Sequence, residues 1–205
     1  MEAILNFDLV TFIKTVGYLG ITMIVFLESG VPIGFFFPGD SLLFTAGFLS
    51  SQGYFSIFLL TPLAFFAAVL GDSFGYAFGR KIGPAIFNRE DSFFFHKHHL
   101  EKTRVFYEKY GKLTIIIARF MPIVRTFAPI LAGVGRMSYP TFISYNLIGG
   151  AAWSFGMSFL GYVFGNVIPN PDRYILPIVI AIIILSIMPT AIHLLKDYRA
   201  NRIKK

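Results

Sequence analysis

Glu28-Ser-Gly-Val-Pro-Ile-Gly-Phe-Phe-Phe-Pro-Gly-Asp-Ser41 breaks an otherwise apolar run, and its reading decides the fold. Pro32, Gly34, Pro38 and Gly39 interrupt it, and Glu28 and Asp40 charge it. A straight spanning helix needs about 20 apolar residues without such breaks. Two short half-helices forming a re-entrant hairpin, continued by Leu42 to Ser50, fit the pattern better. Irregular backbone at membrane depth is tolerated only when it is buried in protein or lines a wet cavity.

The composition around this stretch also points to a membrane. The chain has 205 residues, 55% apolar and only 14% charged, with 25 Phe. Its mean hydropathy is +0.66. Soluble domains carry about 25% charged residues. A soluble fold of this size would leave large apolar patches exposed. A soluble enzyme, a disordered chain and a disulfide scaffold are therefore poor readings, and the lack of cysteine excludes disulfide and thiolate chemistry.

Working outward, Val10 to Leu27 is a first apolar segment. Met1 to Asp8 holds two acids and no base, so the segment is read as retained rather than as a cleaved signal. Ile57 to Gly79 is long enough to span, with Gly71, Gly75 and Gly79 on one helix face suited to close packing. Leu113 to Val134 repeats the interrupted style, with Pro122, Pro129 and Gly133 as breakers and Arg119 and Arg125 as charges. Tyr139 to Gly165 and Tyr174 to Leu195 are further spans, separated by a turn at Pro169-Asn-Pro171. His99 to Tyr110 reads as an amphipathic helix on the membrane surface.

Two halves are visible. Gly75-Tyr-Ala-Phe-Gly79 matches Gly161-Tyr-Val-Phe-Gly165, and each copy follows an interrupted segment with two charges and two prolines, Pro32 and Pro38 or Pro122 and Pro129. Broken hydrophobic segments in corresponding positions of two halves point to a transporter site. The expected fold is an all-α integral membrane protein forming one membrane domain over residues 1–205. Its halves run over about 10–80 and 113–195, as an inverted repeat with two opposed re-entrant hairpins.

The net charge of +7 supports orientation more than nucleic-acid binding. Eight bases fall between Arg80 and Lys112, and Lys196, Arg199, Arg202, Lys204 and Lys205 close the chain. The positive-inside rule makes segment 80–112 and the C-terminus cytoplasmic. The first hairpin then dips in from outside and the second from inside. The N-terminus is expected to be cytoplasmic too, although only Lys14 supports it.

Four charges within interrupted segments mark the candidate site: Glu28, Asp40, Arg119 and Arg125. Each costs about 2.5–3.5 kcal/mol to insert, so a function is the default explanation. Half-helix N-termini offer unpaired N–H groups and partial positive charge. Asp40 or Ser41 reads as the N-cap of a half-helix, and Pro122 and Pro129 suit first-turn positions. With Arg119 and Arg125, which grip phosphate bidentately, this makes an anion site. Protonating Glu28 and Asp40 would free the arginines for a phosphate, which gives a route to proton coupling. The structural alternative is a salt-bridge network that only holds the hairpins together.

Other polar residues carry weaker readings. Asp72 is either a packing hydrogen bond or a further titrating site. His96, His98 and His99 suit a solvated basic segment better than a metal site, and no metal or other cofactor is expected. His193 suits a helix C-terminus. Trp153 and Phe93 to Phe95 read as lipid or interface anchors. Arg136 reads as an interfacial residue at the hairpin exit.

Long ordered motifs add a resemblance. Phe26-Leu-Glu-Ser29, Pro32, Phe37-Pro-Gly-Asp-Ser-Leu-Leu43 and Ala46-Gly47 resemble the first signature of the DedA family, the bacterial branch of the VTT (SNARE-associated) superfamily. Gly71-Asp-Ser-Phe-Gly-Tyr76 with Gly79-Arg80 resembles the second. Phe106-Tyr-Glu-Lys-Tyr-Gly111, Ala118-Arg-Phe-Met-Pro-Ile-Val-Arg-Thr-Phe-Ala-Pro-Ile-Leu-Ala-Gly133 and Met137-Ser-Tyr139 resemble the third. The resemblance covers about residues 10–195. It implies two opposed re-entrant hairpins, a multi-pass protein of a bacterial plasma (inner) membrane, and a role in moving lipids between leaflets. Undecaprenyl phosphate or phospholipids such as phosphatidylethanolamine would be the cargo, with proton dependence in some members. The residues it marks match Glu28, Asp40, Arg119 and Arg125.

Three functions follow. A lipid-phosphate translocase leads, because so few spans could hardly enclose a large soluble substrate, whereas a lipid needs only its headgroup shielded. A phospholipid translocase or scramblase is a variant of it. An intramembrane lipid phosphatase using Glu28 and Asp40 as acid and base lacks a nucleophile–base pair. A membrane-shaping protein would use the charges as glue. The partner expected is a membrane lipid, and glycine-rich faces suit either a homodimer or packing within one chain.

Overall fold

A computed structural model describes residues 9–32, 34, 37–87 and 113–167. The surface helix at His99 to Tyr110, the histidines His96, His98, His99 and His193, the Phe93 to Phe95 run, the last span and the basic tail lie outside the described residues.

Six helices form within them: α1 Leu9–Gly30, α2 Gly39–Ser51, α3 Ile57–Phe87, α4 Leu113–Ala118, α5 Pro122–Val134 and α6 Tyr139–Val167. No strand occurs among the described residues. Three stretches are long and apolar enough to cross a membrane: Val10–Gly30, Ile57–Ile82 and Tyr139–Val167. The 13-residue helices α2 and α5 are each about 20 Å long, short of a hydrocarbon layer about 30 Å thick.

Proline places the breaks. Pro38 is the N-cap of α2, and Pro122 opens α5 after an extended Met121. Proline suits a helix start because the N–H it lacks would be unpaired there anyway. The expected cap at Asp40 or Ser41 is corrected. Asp40 stands in the first turn, and the Ser41 hydroxyl donates back to the Pro38 carbonyl at 3.0 Å. Pro129 is also corrected from first turn to helix interior. There it removes the N–H that would have bonded the Arg125 carbonyl. Glu28 belongs to the end of α1 rather than to a separate half-helix. No proline interrupts Val10 to Gly30, and the helix only kinks at Gly17, where φ is 59°.

Packing fixes the directions. The Tyr18 hydroxyl accepts from the Ser56 N–H at 2.6 Å, and the Phe26 and Phe74 rings lie 6.1 Å apart. A Cβ at Gly30 would meet the Gly71 carbonyl. So α1 runs parallel to α3 and ends about halfway along it. α6 runs antiparallel to α3, from Tyr139 beside Ser73, through Asn146 beside Val69, to Phe155 beside Phe65. The α1–α2 pair opens toward the start of α3. The α4–α5 pair opens toward the other end, where Ile115 and Ala132 share a cluster with Tyr76 and Phe142. The start of α1 and Arg80 therefore lie at opposite ends of the bundle. This reverses the side expected for the start of the first helix relative to segment 80–112.

Large and small side chains are sorted as lipid demands. On α3, Phe58, Phe66, Leu70 and Phe74 face outward, Phe58 being 83% exposed. Ala64, Ala68, Gly71, Gly75 and Gly79 face inward. Lipid is as apolar as leucine, so helices associate through close backbone packing rather than by hiding large residues. Gly133 of α5 lies on the Tyr76 carbonyl of α3, and Gly79 lies on the Ile130 carbonyl of α5. Likewise Gly47 of α2 lies on the Ser158 carbonyl of α6, and Gly161 on the Phe44 carbonyl. Each 13-residue helix thus rests on a long helix from the other half of the sequence.

Gly133→Ala should destabilise the protein by about 1–3 kcal/mol, because the new methyl overlaps the Tyr76 backbone. Gly156→Ala has nothing within 4 Å of the new methyl and should be neutral or stabilising by up to about 1 kcal/mol. Unfolding of both variants in detergent measures the contrast.

Candidate functional site

Where the ends of α1, α2 and α5 meet, the bundle buries an arginine between two carboxylates. Glu28 is in the last turn of α1, Asp40 in the first turn of α2 and Arg125 in the first turn of α5. Arg125 Nη1 lies 2.7 Å from Asp40 Oδ1, and Nη2 pairs with Glu28 Oε1. The Arg125 side chain is 7% exposed and that of Glu28 1%. One guanidinium thus bridges both carboxylates of the first interrupted segment, which stand 12 residues apart in sequence.

Each carboxylate also has a donor that is not an arginine. The Gly39 N–H donates to Glu28 Oε1 at 3.2 Å, and a Cβ at Gly39 would overlap that carboxylate. Glycine is required there because the acid sits directly on the backbone. The indole N–H of Trp153 donates to Asp40 Oδ1 at 2.6 Å. The same ring stands 4.9 Å from the Arg125 guanidinium, within cation–π range. The Thr126 hydroxyl donates to the Glu28 carbonyl at 3.3 Å, tying α5 to α1. Glu28 Oε2 and Arg125 Nε are buried and find no hydrogen-bond partner among the described residues.

Arg119 belongs to a second cluster. It stands in the break between α4 and α5, with Nη2 2.8 Å from Asp72 Oδ2 of α3. Its Nη1 donates to Asn146 Oδ1 of α6 at 2.7 Å and to the Asn146 carbonyl at 3.3 Å. Asn146 in turn donates to the Val69 carbonyl at 3.1 Å. Gly149 and Gly150 leave room for the arginine, since a Cβ at Gly150 would lie 3.1 Å from its Nη1. Asp72 is thus an ion-pair partner rather than only a helix-packing group.

The six charged or polar residues divide into two clusters, each drawn from several helices. The structure brings Glu28, Asp40 and Arg125 together, and gives Arg119 to Asp72 and Asn146. Among the breakers, Pro38, Gly39 and Pro122 shape the helix starts beside the first cluster, Pro32 lies in the turn after α1, and Gly133 and Pro129 lie within α5. Trp153 corrects the lipid-anchor expectation. It is 2% exposed and faces the charges, because α6 turns that side toward α2. Arg136 is exposed between α5 and α6 with φ of 55°. Asn146 went unremarked in the sequence, although an amide inside a 29-residue apolar helix is itself a signal.

An all-helical membrane protein with buried, paired charges is the class this arrangement defines. The VTT domain profile matches residues 37–163. The chain is 42% identical over 185 residues to the protein DedA of Escherichia coli K12, covering 89% of this chain and 84% of that one. An uncharacterized membrane protein of Mycobacterium tuberculosis H37Rv is 45% identical over 185 residues, with 89% and 81% covered. One from Mycobacterium leprae is 42% identical over 179 residues, with 87% and 80% covered. The chain belongs to the DedA family of VTT-domain membrane proteins. No solved structure shows significant similarity to it.

Removing one partner of the second cluster should strand the other. Asp72→Ala should cost about 3–5 kcal/mol by leaving Arg119 buried beside Asn146 alone. The double variant Asp72→Leu/Arg119→Met should cost less than Asp72→Ala, as an apolar pair replaces the ions. A double-mutant cycle on unfolding in detergent checks this.

Proposed function

We propose that this protein moves a lipid phosphate, undecaprenyl phosphate first among the candidates, between membrane leaflets. The observation that carries the reading is Arg125. It is buried at the start of a half-helix, has an unsatisfied Nε, and is shared by two carboxylates that each hold another donor. Such a guanidinium can change partners at low cost. A phosphate headgroup matches its planar fork and suits the helix N-terminus beside it. The lipid tail stays in the bilayer, so no large cavity is needed. Arg119, one break-length away in sequence, serves as the second cation of the site when Asp72 releases it.

Proton coupling follows from the same competition. Protonated Glu28 and Asp40 no longer attract Arg125, so a proton arriving and a phosphate binding favour the same rearrangement. The protein is read as a transporter rather than a hydrolase. The Thr126 hydroxyl at the first cluster donates to the backbone carbonyl of Glu28 rather than to a base.

The change of side would use the two halves as an inverted repeat of re-entrant hairpins. Gly133 follows Gly47 by the same interval as Gly161 follows Gly75, which supports the pairing of the halves. Their glycine contacts differ in register. Gly133 rests on Tyr76, but Gly47 rests on Ser158, whose counterpart in the first half is Asp72, one helical turn before Tyr76. Two packings of one motif, a turn apart, are the ingredients of a two-state exchange. Segment 80–112 and the C-terminus are assigned to the cytoplasmic side of a plasma membrane by the positive-inside rule.

A flip assay in proteoliposomes tests the reading. Labelled undecaprenyl phosphate should cross faster than in empty vesicles, faster still under a pH gradient, and without release of inorganic phosphate. Arg125→Ala should cut the rate at least tenfold, with Arg125→Lys in between. An Arg125→Ala protein that is folded and inserted and transports at the native rate would sink the proposal. Faster movement of phosphatidylethanolamine than of the lipid phosphate would shift the cargo to phospholipids.

A further inference from the structure

We propose that Trp153 is a positioning residue of the Arg125 site, holding Asp40 in place while Arg125 exchanges its carboxylate partners for an anionic headgroup. The inference rests on the reading of Arg125 as the phosphate-binding group. Three observations carry it. Asp40 Oδ1 accepts from Arg125 Nη1 at 2.7 Å and from Trp153 Nε1 at 2.6 Å, so one oxygen receives both donors. The indole ring lies 4.9 Å from the guanidinium and packs against it. The residue is 2% exposed within a helix whose neighbouring turns contact the other arginine through Asn146 and Gly150.

The geometry separates two tasks within one side chain. The N–H fixes the carboxylate, and the ring face supports the cation. When Arg125 turns toward a phosphate, its bond to Asp40 breaks and the indole bond remains. The Asp40 carboxylate, 18% exposed, is oriented by the donors that reach it, so the indole lets the arginine leave and return to a prepared partner. Without the N–H, the unliganded protein still has the Arg125–Asp40 pair. The liganded protein would lose both of these donors at once. The defect should therefore fall on ligand binding and leave resting stability nearly unchanged.

Trp153→Phe keeps an aromatic ring and removes the donor. It should raise the KM for undecaprenyl phosphate about tenfold, with a melting temperature close to native. A merely structural tryptophan would instead lower the melting temperature and leave KM alone, and that result would overturn the proposal. The native chain supplies an independent readout, because Trp153 is its single tryptophan. Adding undecaprenyl phosphate to the detergent-solubilised protein should change the indole emission saturably, whereas undecaprenol, which lacks the charge, should not. If the native protein flips undecaprenyl phosphate while its emission stays constant and Trp153→Phe keeps the native KM, this inference fails and the proposed function stands. If the native protein moves no lipid phosphate, the reading of Arg125 fails and the inference falls with it.

Discussion

A guanidinium cannot be left alone in an apolar bundle, and the centre of this protein is arranged around that constraint. Arg125 is buried on α5, so carboxylates must reach it from elsewhere in the chain. Glu28 comes from the end of α1 and Asp40 from the start of α2, and both helices must stop near mid-bundle to deliver them. The proline and glycine breaks are what stop them. Gly39 then has no room for a Cβ, because the Glu28 carboxylate rests on its backbone. The charges thus explain the broken helices, and the broken helices allow the charges to meet. A buried ion network of this kind adds little net stability over apolar packing. The exchange of partners proposed above would give such a network a use beyond cohesion.

The surrounding helices obey the same solvent logic. On α3, Phe58, Phe66, Leu70 and Phe74 face outward, and glycine and alanine line the close contacts with neighbouring helices. Close backbone approach replaces the hydrophobic driving force available in water. It also makes the helix contacts register-dependent, since a glycine accepts a facing carbonyl only at particular positions. Helices held this way can settle into discrete alternatives one turn apart, which a soft leucine interface would not define so sharply.

α6 joins the two charge clusters. Asn146 holds Arg119, and Trp153, two turns further along the same helix, holds Asp40 and faces Arg125. A rigid helix carrying both contacts moves them together. Any displacement of α6 relative to α2 and α5 would therefore be felt at both arginines.

The sequence alone determined the membrane class, the family and the breaks at Pro38 and Pro122, and it singled out Glu28, Asp40, Arg119 and Arg125 as charges in apolar surroundings. These are legible because composition, helix breakers and intramembrane charges are local and rare. It did not determine who pairs with whom. Arg119 and Arg125 look alike on paper, yet one meets Asp72 and Asn146 and the other meets Glu28, Asp40 and Trp153. Nor did it reveal that the last turn of α1 carries Glu28, that α1 runs parallel to α3, or that Trp153 faces inward. Partner choice depends on which faces of distant helices come to lie together. That is decided by close packing between segments far apart in the chain, and only the tertiary structure holds that information.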